Sequence, residues 1–145
     1  MDYDVWGSWT SAVGPNSPLN DTCAATANQL GSAVSAVKAW TDAGMPANRI
    51  VLGVASYGHS FSVLPSDAFV NGSETELVAY PKFNASNQPL GDPQSTGGLD
   101  VCGVYEGPGG TFTFEGLVGS RFLTTEGSQE PGIYYRYDNC SQTVE

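Results

Sequence analysis

The sequence predicts an α/β fold with a smaller α+β unit attached. Three observations predict it: apolar residues at helical spacing over residues 29–43, an unbroken apolar run Ile50–Ala55 shortly after, and a change of texture past residue 61. Helix, short loop and buried strand form the repeating unit of α/β folds. Beyond residue 61 apolar residues scatter and Gly and Pro recur every few positions, which is the texture of short elements joined by turns.

The elements follow in chain order. MDYDVWGSW (1–9) is aromatic and acidic and reads as a strand end running into a loop. Residues 14–23 hold Gly14, Pro15, Pro18 and two Asn, which is loop chemistry. Over 29–43, Leu30, Val34, Val37 and Trp40 recur on one helical face, with Ala33, Ala36 and Ala43 on the same side. Gly44 is a natural stop and Pro46 lies just past it. Ile50–Ala55 is apolar on both faces, as a strand buried on both sides of a parallel sheet would be. Short β-prone stretches follow at Leu77–Tyr80, Asp100–Val104 and Ile133–Tyr137. A short helix is expected over Phe112–Phe122, because Phe114, Leu117, Val118 and Phe122 share one side. One helix and one or two parallel strands cannot cover both faces of a buried sheet, so the reading expects an incomplete fold.

Composition narrows the function classes. The chain has 145 residues, of which 15 are acidic and 5 basic, for a formal charge of −10. Lys38, Arg49, Lys82, Arg121 and Arg136 form no cluster, which argues against nucleic acid as a partner. An anionic membrane surface would repel the chain, and no apolar run approaches the ~20 residues that span a bilayer. Met1 is followed by Asp2, Tyr3 and Asp4 rather than by a basic or apolar leader. The expectation is a cytosolic chain or one whose start lies further upstream.

Cysteines and sequons favour the second alternative. Cys102 and Cys140 both lie in the Gly-rich second half and are the expected disulfide pair, worth about 4 kcal/mol on the chain-entropy estimate. Cys23 is then left over, as for a cysteine whose partner lies elsewhere. The alternative is three buried thiols. Four Asn-x-Ser/Thr sequons, at Asn20, Asn71, Asn84 and Asn139, are candidate N-glycosylation sites and favour a secretory route. The lone His59 and three scattered cysteines match no zinc spacing, so neither metal nor cofactor is expected.

Three features together resemble one family. Met1-Asp2-Tyr3-Asp4 matches the Met-x-Tyr-Asp motif that ends the sixth barrel strand of glycoside hydrolase family 18 chitinases, and Val5-Trp6-Gly7 resembles its fungal continuation. IVLGVASYGHSF (50–61) is similar to the seventh strand and its exit, and YRYDNCSQT (135–143) to the end of the insertion that follows. The resemblance implies a partial (β/α)8 TIM barrel over residues 1–59, comprising the exit of strand 6, helix 6 and strand 7. Residues 60–145 are then the α+β chitinase insertion domain. Active sites of such barrels lie at the C-terminal strand ends, where both aromatic-acid clusters fall.

Site roles follow from the resemblance. Family chemistry is substrate-assisted: a Glu protonates the glycosidic oxygen and the sugar's own N-acetyl carbonyl attacks the anomeric carbon. Tyr3 would hydrogen-bond the acetamide, Asp4 would hydrogen-bond the sugar, Tyr57 would line the same subsite, and Met1 and Trp6 complete the substrate-binding set. Each also has a structural reading. Tyr3 and Tyr57 fit core packing, Asp4 fits a loop cap, and Trp6 and Trp9 fit either sugar stacking or the core. His59 stands where the family often has Arg, and Glu115 stands where fungal relatives have Trp, which puts a charge pairing and an aromatic contact in doubt.

The family's Asp-x-x-Asp-x-Asp-x-Glu does not occur in the sequence. The expectation is therefore part of a secreted chitinase, extracellular in its full-length parent, whose partners are chitin or chitooligosaccharide and the N-terminal part of the barrel. This chain would carry substrate-positioning residues and no catalytic acid. The alternatives are a non-catalytic chitin-binding or lectin-like secreted protein, and a structural glycoprotein with no sugar ligand.

Overall fold

The computed structural model describes residues 1–92, 97–99, 101–106 and 110–144. They gather into two compact units. The first comprises Met1–Gly7, Gly14–Ala55 and Arg136–Glu145; the second comprises Ser8–Val13 and Ser56–Tyr135.

In the first unit, the expected helix forms as α1, Ala33–Asp42. It starts later than the apolar spacing suggests because its entry is fixed from a distance. The Asp21 carboxylate accepts from Gly31 N–H at 3.0 Å and from the Ser32 hydroxyl at 2.9 Å. Ser32 and Ser35 then cap reciprocally, satisfying donors that the first helical turn leaves over. The exit matches the sequence. Gly44 takes φ +95, its N–H donates to Thr41 at 2.9 Å, and Met45 N–H donates to Trp40 at 3.0 Å. This is a Schellman ending, which glycine accommodates without a Cβ penalty.

The segment expected as a strand buried on both sides, Ile50–Ala55, departs from that expectation. It makes one parallel bridge, Val54 to Asp2, with Asp2 N–H donating to Gly53 at 2.9 Å. Val51 is 93% exposed and Val54 68%. Among the described residues no second parallel strand flanks it, so both faces stay open. Val34 and Trp40 on α1 are likewise exposed, and among the described residues the buried apolar side chains of this unit are Trp6, Pro15, Pro18 and Ala33. A hairpin of β5 (Tyr137–Asp138) and β6 (Thr143–Val144) completes the unit.

That hairpin carries the disulfide, and here the expected pairing is corrected. Cys140 bonds Cys23, not Cys102, with Cα atoms 6.1 Å apart. Leu19 N–H donates to Ser141 at 2.8 Å, which brings residues 117 positions apart within bonding reach. Cys23 is therefore not left over, and Cys102 lies exposed in a turn.

The second unit is built from short pieces. Strand β1 (Tyr57–His59) pairs antiparallel with β4 (Thr111–Thr113). Strand β2 (Gly98–Leu99) pairs with β3 (Tyr105–Glu106). The stretch expected as a strand over Asp100–Val104 is therefore not one. Asp100 lies outside the described residues, and 101–104 turn the chain between β2 and β3, with Gly103 at φ +78. Leu77–Tyr80 contributes one bridge, Leu77 to Phe69, just after α2 (Pro65–Ala68).

Helix α3 (Phe114–Gly119) is shorter than the expected Phe112–Phe122 because Phe112 and Thr113 belong to β4. The buried Asp92 fixes the junction: its Oδ2 accepts from the Thr113 N–H and hydroxyl, both at 2.8 Å. The Thr113 hydroxyl in turn accepts from Gly116 N–H at 3.1 Å and caps the helix. Edge-to-face ring pairs Phe61–Phe83, Phe69–Tyr134 and Phe112–Phe122 supply its aromatic packing.

Candidate functional site

The Met-x-Tyr-Asp residues lie in the first unit. Met1 is 91% exposed, Tyr3 is half-buried and Asp4 is exposed. Alternation separates Met1 and Tyr3 from the buried Asp2, because successive side chains of an extended segment point to opposite sides, and the alternation ends at Asp4, whose φ of +57 leaves the extended region. Asp2, facing inward, is 5% exposed, and burial pushes its carboxyl above the usual aspartate range.

The backbone around Tyr3 is held on both sides. Before it, Asp2 N–H donates to Gly53 and the Ser17 hydroxyl donates to the Asp2 carbonyl. After it, Val5 N–H donates to the Asn16 carbonyl at 3.2 Å and Asp4 N–H donates to Asn16 Oδ1 at 2.9 Å. Asp4 itself adopts φ +57. Left-handed backbone is uncommon for residues with a Cβ, and Asp tolerates it better than most. The Tyr3 ring packs beside Gly53, where a Cβ would meet Tyr3 Cε1 at an ordinary contact distance of 3.4 Å.

Trp6 is corrected to a packing role. It is 3% exposed, and a Cβ on Gly14 would come within 2.3 Å of its indole. A ring so enclosed presents no face to a sugar.

Tyr57 belongs to the second unit. Tyr57 and His59 alternate along β1 and so share one side, and their rings meet edge to face at 5.7 Å. Trp9 adds a third ring at 5.5 Å from His59 and is 60% exposed. Sequence reasoning treated these three singly. Period-two spacing gave a signal for Tyr57 and His59, but nothing local placed Trp9, 50 positions away, beside them. Asn16 was missed altogether. Glu115 sits in the first turn of α3, the end of a helix where negative charge is favoured.

Chemically, these groups offer a phenol, a carboxylate in a fixed backbone pose, and an open aromatic surface. Among the described residues there is no group of three or more His, Cys, Asp or Glu that could hold a metal ion.

The family model described as glycosyl hydrolases family 18 matches residues 1–143. The chain belongs to glycosyl hydrolase family 18. Two family relatives from Moniliophthora roreri and Moniliophthora perniciosa, both called chitinase-like effector, are each 56% identical to it. The matches cover 99% and 98% of this chain but 35% and 32% of those proteins, so the chain spans about a third of the curated relatives' length. The structure of a chitinase from Rhizomucor miehei superposes with a TM-score of 0.76 at 28% identity. It covers 99% of this chain and 37% of that one. The family 18 fold is thus present in part.

Proposed function

We propose that this chain supplies the sugar-orienting part of a family 18 chitinase fold and holds β-1,4-linked N-acetylglucosamine without cleaving it. One observation carries the reading: the family match runs over residues 1–143, yet Asp-x-x-Asp-x-Asp-x-Glu does not occur in the sequence. In this reading Asp2 ends the sixth strand of a (β/α)8 barrel, α1 is its sixth helix and Ile50–Ala55 its seventh strand. The residues that follow are the α+β insertion.

Tyr3 and Asp4 then act by position. The phenol donates to the acetamide and the carboxylate accepts from a sugar hydroxyl. In substrate-assisted hydrolysis, such donors would fix the acetamide for attack on the anomeric carbon. That reaction in a full-length parent needs an acid to protonate the leaving oxygen, which this chain's motifs do not offer. Separately, the Trp9–His59–Tyr57 surface offers exposed ring area to a pyranose face. The resident compartment proposed is extracellular.

A second reading has its own support. The alternative of a non-catalytic chitin-binding or lectin-like secreted protein is compatible with the name chitinase-like effector that both 56% identical relatives carry. Two assays test what both readings share, sugar binding without cleavage. With a fluorogenic chitotrioside, the chain should give no turnover above a Tyr3→Phe control, and clear turnover would sink the non-cleaving claim. On chitin beads the chain should be retained. Tyr57→Ala should weaken retention several-fold, since an aromatic contact is worth about 0.5–1.5 kcal/mol. Complete flow-through of the parent chain would refute sugar binding.

A further inference from the structure

Two of the four sequons, at Asn84 and Asn139, differ in what the fold has done with the atoms that glycosylation needs. In that transfer, the Asn Nδ2 attacks the anomeric carbon of an oligosaccharide carried on a lipid pyrophosphate. The N–C1 bond forms, the C1–O bond to phosphate breaks, lipid pyrophosphate leaves, and Nδ2 gives up a proton. No oxidant or reductant is required. The enzyme must reach the Asn amide together with the Ser/Thr hydroxyl two residues on.

At Asn84 these groups lie open. Asn84, Ala85, Ser86 and Asn87 are all exposed in a turn of the second unit. Asn84 Oδ1 accepts from Ser86 N–H at 3.0 Å, so the turn draws the two recognition residues together through the amide oxygen and not through the reacting nitrogen.

At Asn139 the fold has committed the other end of the sequon. Ser141 is 4% exposed. Its hydroxyl lies 3.0 Å from Asp138 Oδ1 and 2.6 Å from the Thr143 hydroxyl. Its N–H donates to Asp138 at 2.7 Å, as does Cys140 N–H at 2.9 Å. The residue between Asn139 and Ser141 is Cys140, bonded to Cys23. Leu19 N–H occupies the Ser141 carbonyl.

We infer that Asn84 carries an N-linked glycan, and that the Asn139 sequon is closed by the Cys23–Cys140 bridge, so that disulfide formation and glycosylation compete for one turn. The two events exclude each other structurally: Ser141 cannot be both a buried member of the β5–β6 turn and a ligand of the transferase. Asn84, in the other unit, is independent of the bridge and serves as the internal reference.

The test is translation of the full chain, behind a cleavable secretory leader, into endoplasmic-reticulum microsomes with and without dithiothreitol. Occupancy at each site is read by mass spectrometry of peptides deglycosylated in heavy-oxygen water. Under oxidising conditions Asn84 should be occupied and Asn139 bare. Reduction, or Cys23→Ser, should raise Asn139 occupancy and leave Asn84 unchanged. Asn84→Gln should remove a glycan step from the gel ladder of the oxidised chain, and Asn139→Gln should not. A bare Asn84, or Asn139 occupied equally with and without the bridge, overturns the inference. Chitin does not enter the readout, so its failure is distinct from failure of the sugar-binding proposal.

Discussion

Removing the disulfide is the sharpest test of the first unit. The double substitution Cys23→Ser/Cys140→Ser releases a loop closed across 117 residues. In the chain-entropy model, a loop of this size lowers the unfolded state's entropy enough to stabilise folding by about 5 kcal/mol, with measured losses of about 2–5 kcal/mol. That is large against the unit's small apolar core, whose buried side chains among the described residues are Trp6, Pro15, Pro18 and Ala33. Urea unfolding followed by tryptophan fluorescence should therefore show a midpoint lowered by about 1–2.5 M, taking a slope of about 2 kcal/mol per molar. Cys102→Ser, at an exposed turn position, should shift stability by no more than about 0.5 kcal/mol. Tryptic mapping under non-reducing conditions gives a second readout. The bridge must join the peptide ending at Lys38 to the one following Arg136. A cross-link from Cys140 to the peptide containing Cys102, or equal losses from Cys102→Ser and Cys23→Ser, would refute the pairing and the energetics built on it.

Other substitutions probe the packing and charge around the motif. Gly14→Ala drives a methyl into the Trp6 indole, with the nearest ring atom at 2.3 Å, and should cost about 1–3 kcal/mol in a thermal melt. Gly119→Ala, with nothing within 4 Å, should be near neutral. Two carboxylates should give opposite pH signatures in unfolding titrations. Asp138, held low chiefly by the Ser141 N–H, stabilises above the ordinary carboxylate range and loses that contribution as pH falls through its folded value. Asp138→Asn should thus destabilise at neutral pH and converge with the parent in strong acid. Asp2, pushed up chiefly by burial, costs stability as pH rises past the same range, so Asp2→Asn should gain at neutral pH and the gain should vanish in acid. Asn16→Ala removes the acceptor for Asp4 N–H and should cost about 1 kcal/mol. Chitooligosaccharide affinity, measured by calorimetry, should fall with it.

How much of this was legible depended on how local each cause was. The end of α1 could be read because Gly44 and Pro46 are its own stop signals, whereas its start could not, because Asp21 fixes it from eleven positions before Ser32. The apolar run Ile50–Ala55 announced a strand. Its exposure follows from which neighbours are present, and a run does not encode that. Residues 101–104 looked β-prone by composition, but Gly103 at φ +78 bends the chain there. The disulfide was misassigned for a related reason. Cys102 and Cys140 look like a pair because both lie in the Gly-rich second half, while pairing is decided by the backbone contact between Leu19 and Ser141, which nearness in sequence does not supply. Trp6 sat in a recognisable motif, yet only the close approach of Gly14 shows that its ring is enclosed.

The Met-x-Tyr-Asp segment illustrates what a family motif preserves. Much of the first unit's apolar surface is open: Val34, Trp40, Val51 and Val54 are all exposed. A site that depended on that surface being covered would be loosely defined here. Tyr3 and Asp4 depend on something else. Gly53 and Ser17 hold the backbone before Tyr3, Asn16 holds it after, and Asp4 is locked at φ +57 by a side chain twelve positions away. These are short, directional bonds among polar groups, and they set the pose of two side chains whether or not the apolar faces of α1 and Ile50–Ala55 are covered. The disulfide and hydrophobic burial decide how stable this unit is, and the Asn16 and Gly53 contacts hold the backbone that carries its phenol and carboxylate. The two can be lost separately. The disulfide variant should therefore lower stability by about 2–5 kcal/mol while leaving sugar affinity intact in the population that remains folded, whereas Asn16→Ala should cost only about 1 kcal/mol of stability and should lower sugar affinity.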